Sequence, residues 1–219
     1  NYIQFIMSIK IFITFLVVSL HCNFLLALPK CNGDFSRHCF ANINHKNGER
    51  YVGEVKNYKY EGKGTYLYVN GNIYEGEFKN GEQNGYGIFS FSNGNKYEGD
   101  FKDGLFHGKG SSVYVSGEKY VGQFENDLPN GNGIQILPNG DKYTGQFING
   151  FRSGAGVLTF VNGDEYVGEF KDNLFNGNGK FKFSNGNKQE GFFKNNKFLG
   201  SKEWLNDLKS YLFYLNIFS

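Results

Sequence analysis

Histidine carries protons most readily near neutral pH, and this chain has four, at positions 21, 38, 45 and 107. They are scattered, and none has a carboxylate or hydroxyl partner at a spacing that implies acid–base work. His107 occupies a place where equivalent stretches carry Asn84, Asn130, Ser153 and Asn176, so it reads as a polar loop residue. Gly62-Lys63-Gly64-Thr65 resembles part of a phosphate loop, yet it lacks the upstream glycine and the following helix that such a loop needs. Glu54, Glu77, Asp100 and Glu169 recur at one position, with Lys56, Lys79, Lys102 and Lys171 two residues on. On the solvent face of a strand these form charge ladders that serve solubility and cross-strand pairing. Cys31 and Cys39 either close a small loop as a disulfide in an oxidising compartment or remain two free thiols. With only His38 and His45 nearby they repeat no zinc spacing. The expectation is therefore a protein without catalytic, cofactor-binding or metal-binding residues, and not an enzyme.

The residues that do recur are structural. Tyr51, Tyr74, Tyr97, Tyr120, Tyr143 and Tyr166 are spaced by 23 residues, and so are Gly53, Gly76, Gly99, Gly122, Gly145 and Gly168. Three further glycine sets, beginning at Gly62, Gly64 and Gly71, keep the same period. Six units thus run without insertion or deletion over 51–73, 74–96, 97–119, 120–142, 143–165 and 166–188. Each opens on a Y-x-G-x-F strand whose Tyr, Gly and ring share one face, completed by Phe78, Phe101, Phe124, Phe147 and Phe170, with Val55 in the first unit. A polar loop such as Asn80 to Asn84 follows, then a second strand in which Gly85, Gly87, Phe89 and Phe91 share a face. The unit closes on Asn-Gly, or Ser116-Gly117 once, which predicts a type I′ hairpin onto the next unit. Glycine beside tyrosine lets a ring lie flat on the backbone, so the rings are expected to form the core, the alternative being a ligand-binding aromatic groove. The predicted fold is all-β: one elongated, twisted antiparallel sheet, a β-hairpin solenoid.

This Y-x-G-x-F-x-x-G-x-x-x-G-x-G pattern at a 23-residue period resembles the MORN (membrane occupation and recognition nexus) repeat, with Phe where that pattern commonly has Trp. The start at Lys30-Cys31, the second Cys39 and the degenerate Asn47-Gly48 turn are similar to exported bacterial members of that family. This resemblance implies that residues 28–50 form an N-terminal cap. It also implies that such repeats can accompany lipid-kinase or lysine-methyltransferase domains; the residues after the sixth unit leave no room for one here, so service to an enzyme would be in trans.

The ends differ from the middle. Residues 1–6 precede Met7, and Lys10 followed by the apolar run Ile11 to Leu20 and by Phe24 to Ala27 has the layout of a signal peptide over 1–27. An uncleaved membrane anchor is the alternative. Residues 189–200 form a degenerate half-unit with Gln189 in place of tyrosine. Over 201–219, Trp204, Leu205, Leu208, Leu212 and Leu215 follow a helical spacing after Ser201, which predicts a short capping helix or, alternatively, a helix that binds a membrane or pairs two chains.

A formal net charge of +2 gives no electrostatic case for nucleic acid. The expected function is an exported, periplasmic or secreted scaffold that binds a protein partner or itself. A membrane-lipid surface is the second reading.

Overall fold

The computed structural model describes residues 28–201 and Asn206. The expected leader, 1–27, lies outside the described residues, as does the expected helix over 201–219 apart from Ser201 and Asn206. Fifteen strands form a single antiparallel sheet in which every strand pairs with its sequence neighbours. They are β1 (Cys39–Asn44), β2 (Arg50–Lys56), β3 (Lys59–Leu67), β4 (Ile73–Lys79), β5 (Glu82–Ser90), β6 (Lys96–Lys102), β7 (Leu105–Val113) and β8 (Lys119–Glu125). After these come β9 (Leu128–Ile136), β10 (Lys142–Ile148), β11 (Phe151–Thr159), β12 (Glu165–Lys171), β13 (Leu174–Lys182), β14 (Lys188–Lys194) and β15 (Lys197–Gly200). The all-β hairpin array expected from the repeat is therefore the observed fold.

A single sheet has no second layer, so its core must lie on one face and be made of its own rings. Tyr51, Tyr74, Tyr97, Tyr143 and Tyr166 are fully buried there, with Tyr120 nearly so. Each tyrosine hydroxyl donates a hydrogen bond to the carbonyl oxygen three residues on, as Tyr74 does to Glu77 at 2.8 Å. Each ring lies over glycines that pair across strands, Gly76 with Gly87 in the second unit. A Cβ placed on Gly87 would stand 2.5 Å from the Tyr74 hydroxyl. Phenylalanines fill the gaps edge-on: Phe101 sits 4.8 Å from Tyr74 and 5.2 Å from Tyr97. Such edge-to-face pairs each add about 0.5–1.5 kcal/mol beyond the area they bury. Phe78, Phe124, Phe147 and Phe170 do the same between their own tyrosines, giving one continuous Tyr–Phe ladder.

Two kinds of hairpin alternate along the sheet, and the turn chemistry departs from expectation. At the unit ends, Asn-Gly does not form a type I′ turn. Gly71 has φ +83° while Asn70 stays at negative φ, and the Gly71 N–H bonds to the Tyr68 carbonyl oxygen at 2.9 Å. This is a longer loop with a single left-handed glycine. The two-residue turns with both central residues at positive φ fall instead inside the stretches read as polar loops, at Asn57-Tyr58, Asn80-Gly81 and Asp103-Gly104 among others. The register sets the difference: Leu67 pairs with Ile73 and leaves 68–72 for the longer loop, whereas Lys79 pairs with Glu82 and leaves only Asn80-Gly81.

Asparagine and aspartate side chains stitch one loop to the next. Asn72 Oδ1 accepts from the Ser92 N–H at 3.0 Å, and Asp141 Oδ1 from the Val161 N–H at 3.0 Å. At the other edge Asp127 Oδ1 accepts from the Phe106 N–H at 2.8 Å. The Asn-rich loops thus hold neighbouring units in register.

Candidate interaction face

Of the residues expected to form a charge ladder, Glu54, Asp100 and Glu169 instead accept backbone hydrogen bonds. Where the first strand of a unit meets the second, the register slips, as between Gly76 and Phe78 opposite β5. The slip leaves backbone N–H groups without ladder partners. Glu54 accepts the Lys63 N–H at 3.0 Å, Asp100 the Lys109 N–H at 2.9 Å, and Glu169 the Asn178 N–H at 3.0 Å. Gln123 and Gln146 do the same work for Asn132 and Ala155. An acceptor oxygen is required at this position; a charge is not. The residue is a bulge cap, and the glycine opposite it, Gly62 at φ +60° in the first unit, supplies the bend. His107 lies within β7 rather than in a loop, opposite Asp100.

Above the Tyr–Phe ladder runs a second layer of side chains on the same face. Tyr60, Phe106 and Phe175 stack on Tyr51, Tyr97 and Tyr166 at 3.8, 3.7 and 3.8 Å between centroids. The same place in other units is held by Gln83, Pro129 and Arg152. The Arg152 guanidinium lies 5.6 Å over the Tyr143 ring, and burial pulls its pKa below the ordinary arginine value. A parallel row, Tyr66, Phe89, Ser112, Gln135, Leu158 and Phe181, is aromatic at its ends and polar in its middle. Ser112 Oγ and Gln135 Oε1 are buried without a hydrogen-bond partner.

The tyrosine face is thus two pads of half-buried rings separated by a polar interval. At the first pad the Tyr66 hydroxyl donates to Glu49 at 2.6 Å and Tyr60 shares a hydrogen bond with His45 at 2.7 Å. Burial is the main cause that pushes the Tyr60, Tyr66 and Tyr68 phenols above their ordinary pKa. The sequence placed Phe89 and Phe91 on this face. It missed Tyr60, Phe106 and Phe175, because their position alternates with Gln, Pro and Arg and carries no repeating signature.

The other expected residues are placed as follows. Cys31 and Cys39 are joined, S–S 2.05 Å with Cα atoms 5.2 Å apart. The loop they close lies over the β1 edge, where Lys30 bridges to Phe40. The His38 Nε2–H donates to the Glu54 carboxylate at 2.9 Å, and His45 is occupied by Tyr60. Among the described residues, no three His, Cys, Asp or Glu side chains come together as a metal would require. Gly62 and Gly64 serve the bulge and the Tyr51 ring, which disposes of the phosphate-loop resemblance.

A family model described as MORN repeat matches residues 51–73, 74–96, 97–119, 120–142, 143–165 and 166–188. No curated protein matches over the chain. Among solved structures, the chain is similar to the SAS-4 (dCPAP) TCP domain of Drosophila melanogaster in complex with a proline-rich motif of Ana2 (dSTIL). Identity is 12%, with 74% of this chain and 92% of that one covered and a TM-score of 0.39. The wild-type TCP10 domain of Danio rerio CPAP matches at 11% identity over 69% of this chain and 83% of that one, with a TM-score of 0.25. Resemblances of this strength assign no partner to this chain.

Proposed function

The chain belongs to the MORN repeat family, and on that footing we propose that it is an exported, non-catalytic scaffold that binds a protein partner across its tyrosine face. The observation that carries the reading is the second layer of rings. Tyr66, Tyr68, Phe89 and Phe160 rest their inner sides on the buried Tyr–Phe ladder, yet they, Phe91 and Phe183 stay only half-buried, with no further layer above them among the described residues. Half-buried rings flanking a polar interval have the composition of a protein-binding surface, with apolar anchors around partly accessible hydrogen-bonding side chains such as Gln135 and Arg152. The partner this fits is a segment with apolar groups at both ends and a polar group between them. Export is supported by the leader-like 1–27 and by the Cys31–Cys39 bridge, which persists in oxidising compartments.

The test uses the repeat as its own guide. Phe89→Ser and Phe181→Gln install residues that the same row already carries at Ser112 and Gln135, so the sheet should accept them. Tagged wild-type and doubly substituted chains are recovered from the exported fraction of the native host, and co-purifying proteins are quantified. A protein lost from the double variant but retained by a variant of the opposite face supports the reading. No difference between the two chains, or recovery of the chain only from the cytosol with free thiols, refutes the corresponding half of it.

One row favours a second reading, an anionic membrane surface. On the opposite face Lys96, Val113, Lys119, Ile136 and Lys142 are successive cross-strand neighbours, and the exposed Val115 loop tip adjoins them. Lysines interleaved with aliphatic groups suit such a surface, although Glu118, Asp141 and Glu165 lie along the same edge. Co-sedimentation with vesicles containing anionic lipid, against neutral vesicles, separates this reading from the first.

A further inference from the structure

The face opposite the tyrosines carries an aliphatic stripe that the repeat does not require. Val121 pairs with Ile134, Ile134 with Thr144, Thr144 with Val157 and Val157 with Val167, so these five side chains are consecutive neighbours across β8 to β12. Val121 is 57%, Ile134 38% and Val167 44% exposed. The equivalents of Val121 and Val167 in the first three units are Val52, Glu75 and Glu98, so the second and third units are acidic at this position. The stripe is thus confined to the half of the sheet nearer the C-terminal end, and beyond Val121 the row turns polar through Ser111 and Glu98.

The chain leaves the sheet at one end of this stripe. Ser201 lies with Val167, Gly179, Lys180 and Glu190 around a shallow pocket on that face, where Lys180 and Glu190 are ion-paired at 3.3 Å. The sequence that follows places Trp204, Leu208, Leu212 and Leu215 at helical spacing. Asn206, helical and exposed, falls on the other side of that spacing. From Trp204 to Leu215 a helix advances about 17 Å at about 1.5 Å per residue. From Val167 to Val121 is four strand spacings, about 19 Å. Ser201 lies beside Gly191, two strand spacings short of Val167, a gap of about 10 Å that the three residues to Trp204 span when extended. Reach and chemistry coincide.

We propose that residues 202–219 of the same chain fold back across the opposite face and dock the apolar side of their helix on the Val121–Val167 stripe. This covers the aliphatic stripe and leaves the tyrosine face open. The inference is independent of which partner the tyrosine face takes.

Trp204 is the only tryptophan in the chain, so its fluorescence, excited beyond the tyrosine band, reports this segment alone. In the full chain the emission should be blue-shifted, poorly quenched by acrylamide and independent of protein concentration. Val121→Glu with Val167→Glu installs the residue type of the second and third units and should leave the melting of the sheet unchanged. It should also shift the emission to that of a solvated indole and raise the quenching constant. Solvated emission in the unaltered chain, or blue-shifted emission that the double variant leaves in place, overturns the proposal. A blue shift that is lost on dilution overturns it in favour of a second copy as the occupant.

Discussion

Gly87→Ala tests the central packing claim, that the tyrosines lie on the glycine row because no side chain can stand there. The added methyl would sit 2.5 Å from the Tyr74 hydroxyl and 2.6 Å from its Cε2. Carbon contacts are comfortable near 3.5 Å, so the ring must withdraw by about 1 Å. It has nowhere to go. Tyr74 is fully buried, Phe78 and Phe101 hold its edges at 5.0 and 4.8 Å, and its hydroxyl is tied to the Glu77 carbonyl oxygen at 2.8 Å. Overpacking of this kind costs about 2 kcal/mol, and weakening the buried hydrogen bond adds about 1 kcal/mol. Removing glycine from the unfolded chain returns about 0.7 kcal/mol. The net loss should be about 2 kcal/mol, read by urea denaturation, with hydrogen exchange locating the loosened unit. In a Tyr74→Leu host the methyl meets no ring, and the same substitution should be neutral or slightly stabilising. A loss below about 0.5 kcal/mol in the parent, or an equal loss in both hosts, would refute the reasoning.

Burial raises the pKa of Tyr120, Tyr143 and Tyr166 to about 12 from an ordinary 10.0. A folded-state pKa above the unfolded value stabilises fully below the unfolded value and loses that contribution as pH rises. Stability should therefore be level up to about pH 10 and fall toward pH 12, with ionisation of these three buried phenols, resolved by NMR from exposed rings such as Tyr58 and Tyr86, appearing together with unfolding. Phenolate at Tyr120, Tyr143 or Tyr166 in a sheet that stays intact would contradict the burial. At the bulges, Glu169→Leu should cost about 1–2 kcal/mol by orphaning the Asn178 N–H. Glu169→Gln should fall within about 0.5 kcal/mol of the parent, since Gln123 and Gln146 already cap at 2.8 and 3.1 Å. A large penalty for Glu169→Gln in denaturant titration would restore the charge-ladder interpretation.

The fold was legible because its determinants are periodic. Tyrosine, glycine and phenylalanine at fixed offsets define which face is buried, and twofold alternation then places the strands of the six units, whereas β1, in the segment read only as a cap, carries no such offsets. The turns were misread because Asn-Gly is compatible both with a type I′ turn and with a loop closing on one left-handed glycine. The choice between them depends on strand separation, which no local sequence states. Asn57-Tyr58 illustrates the converse: a tyrosine at φ +59° has no local preference for that conformation and is placed there by the pairing on either side. The bulge caps were misassigned for a related reason. Alternation correctly puts Glu169 on the solvent side, but the slip that brings the Asn178 N–H within its reach is a property of two strands together.

In a strictly regular array every unit would offer the same surface, and binding could have no preferred place along it. The recurring residues are committed to the fold: tyrosine to its carbonyl, glycine to the ring, acceptor to the bulge. Recognition is therefore left to positions where the units differ. On the tyrosine face these are Gln83, Ser112, Gln135 and Arg152, which interrupt the ring rows in the middle of the sheet. On the opposite face they are Val121, Ile134, Val157 and Val167, which make a continuous apolar run where the earlier units interrupt Val52 and Ile88 with Glu75 and Glu98. Both sets leave the backbone register intact, because a solvent-side residue contributes little to pairing that glycine and tyrosine already fix. Such positions are free to change without unfolding the array, which is why the same substitutions that nature has placed in neighbouring units can be exchanged to ask what each face holds.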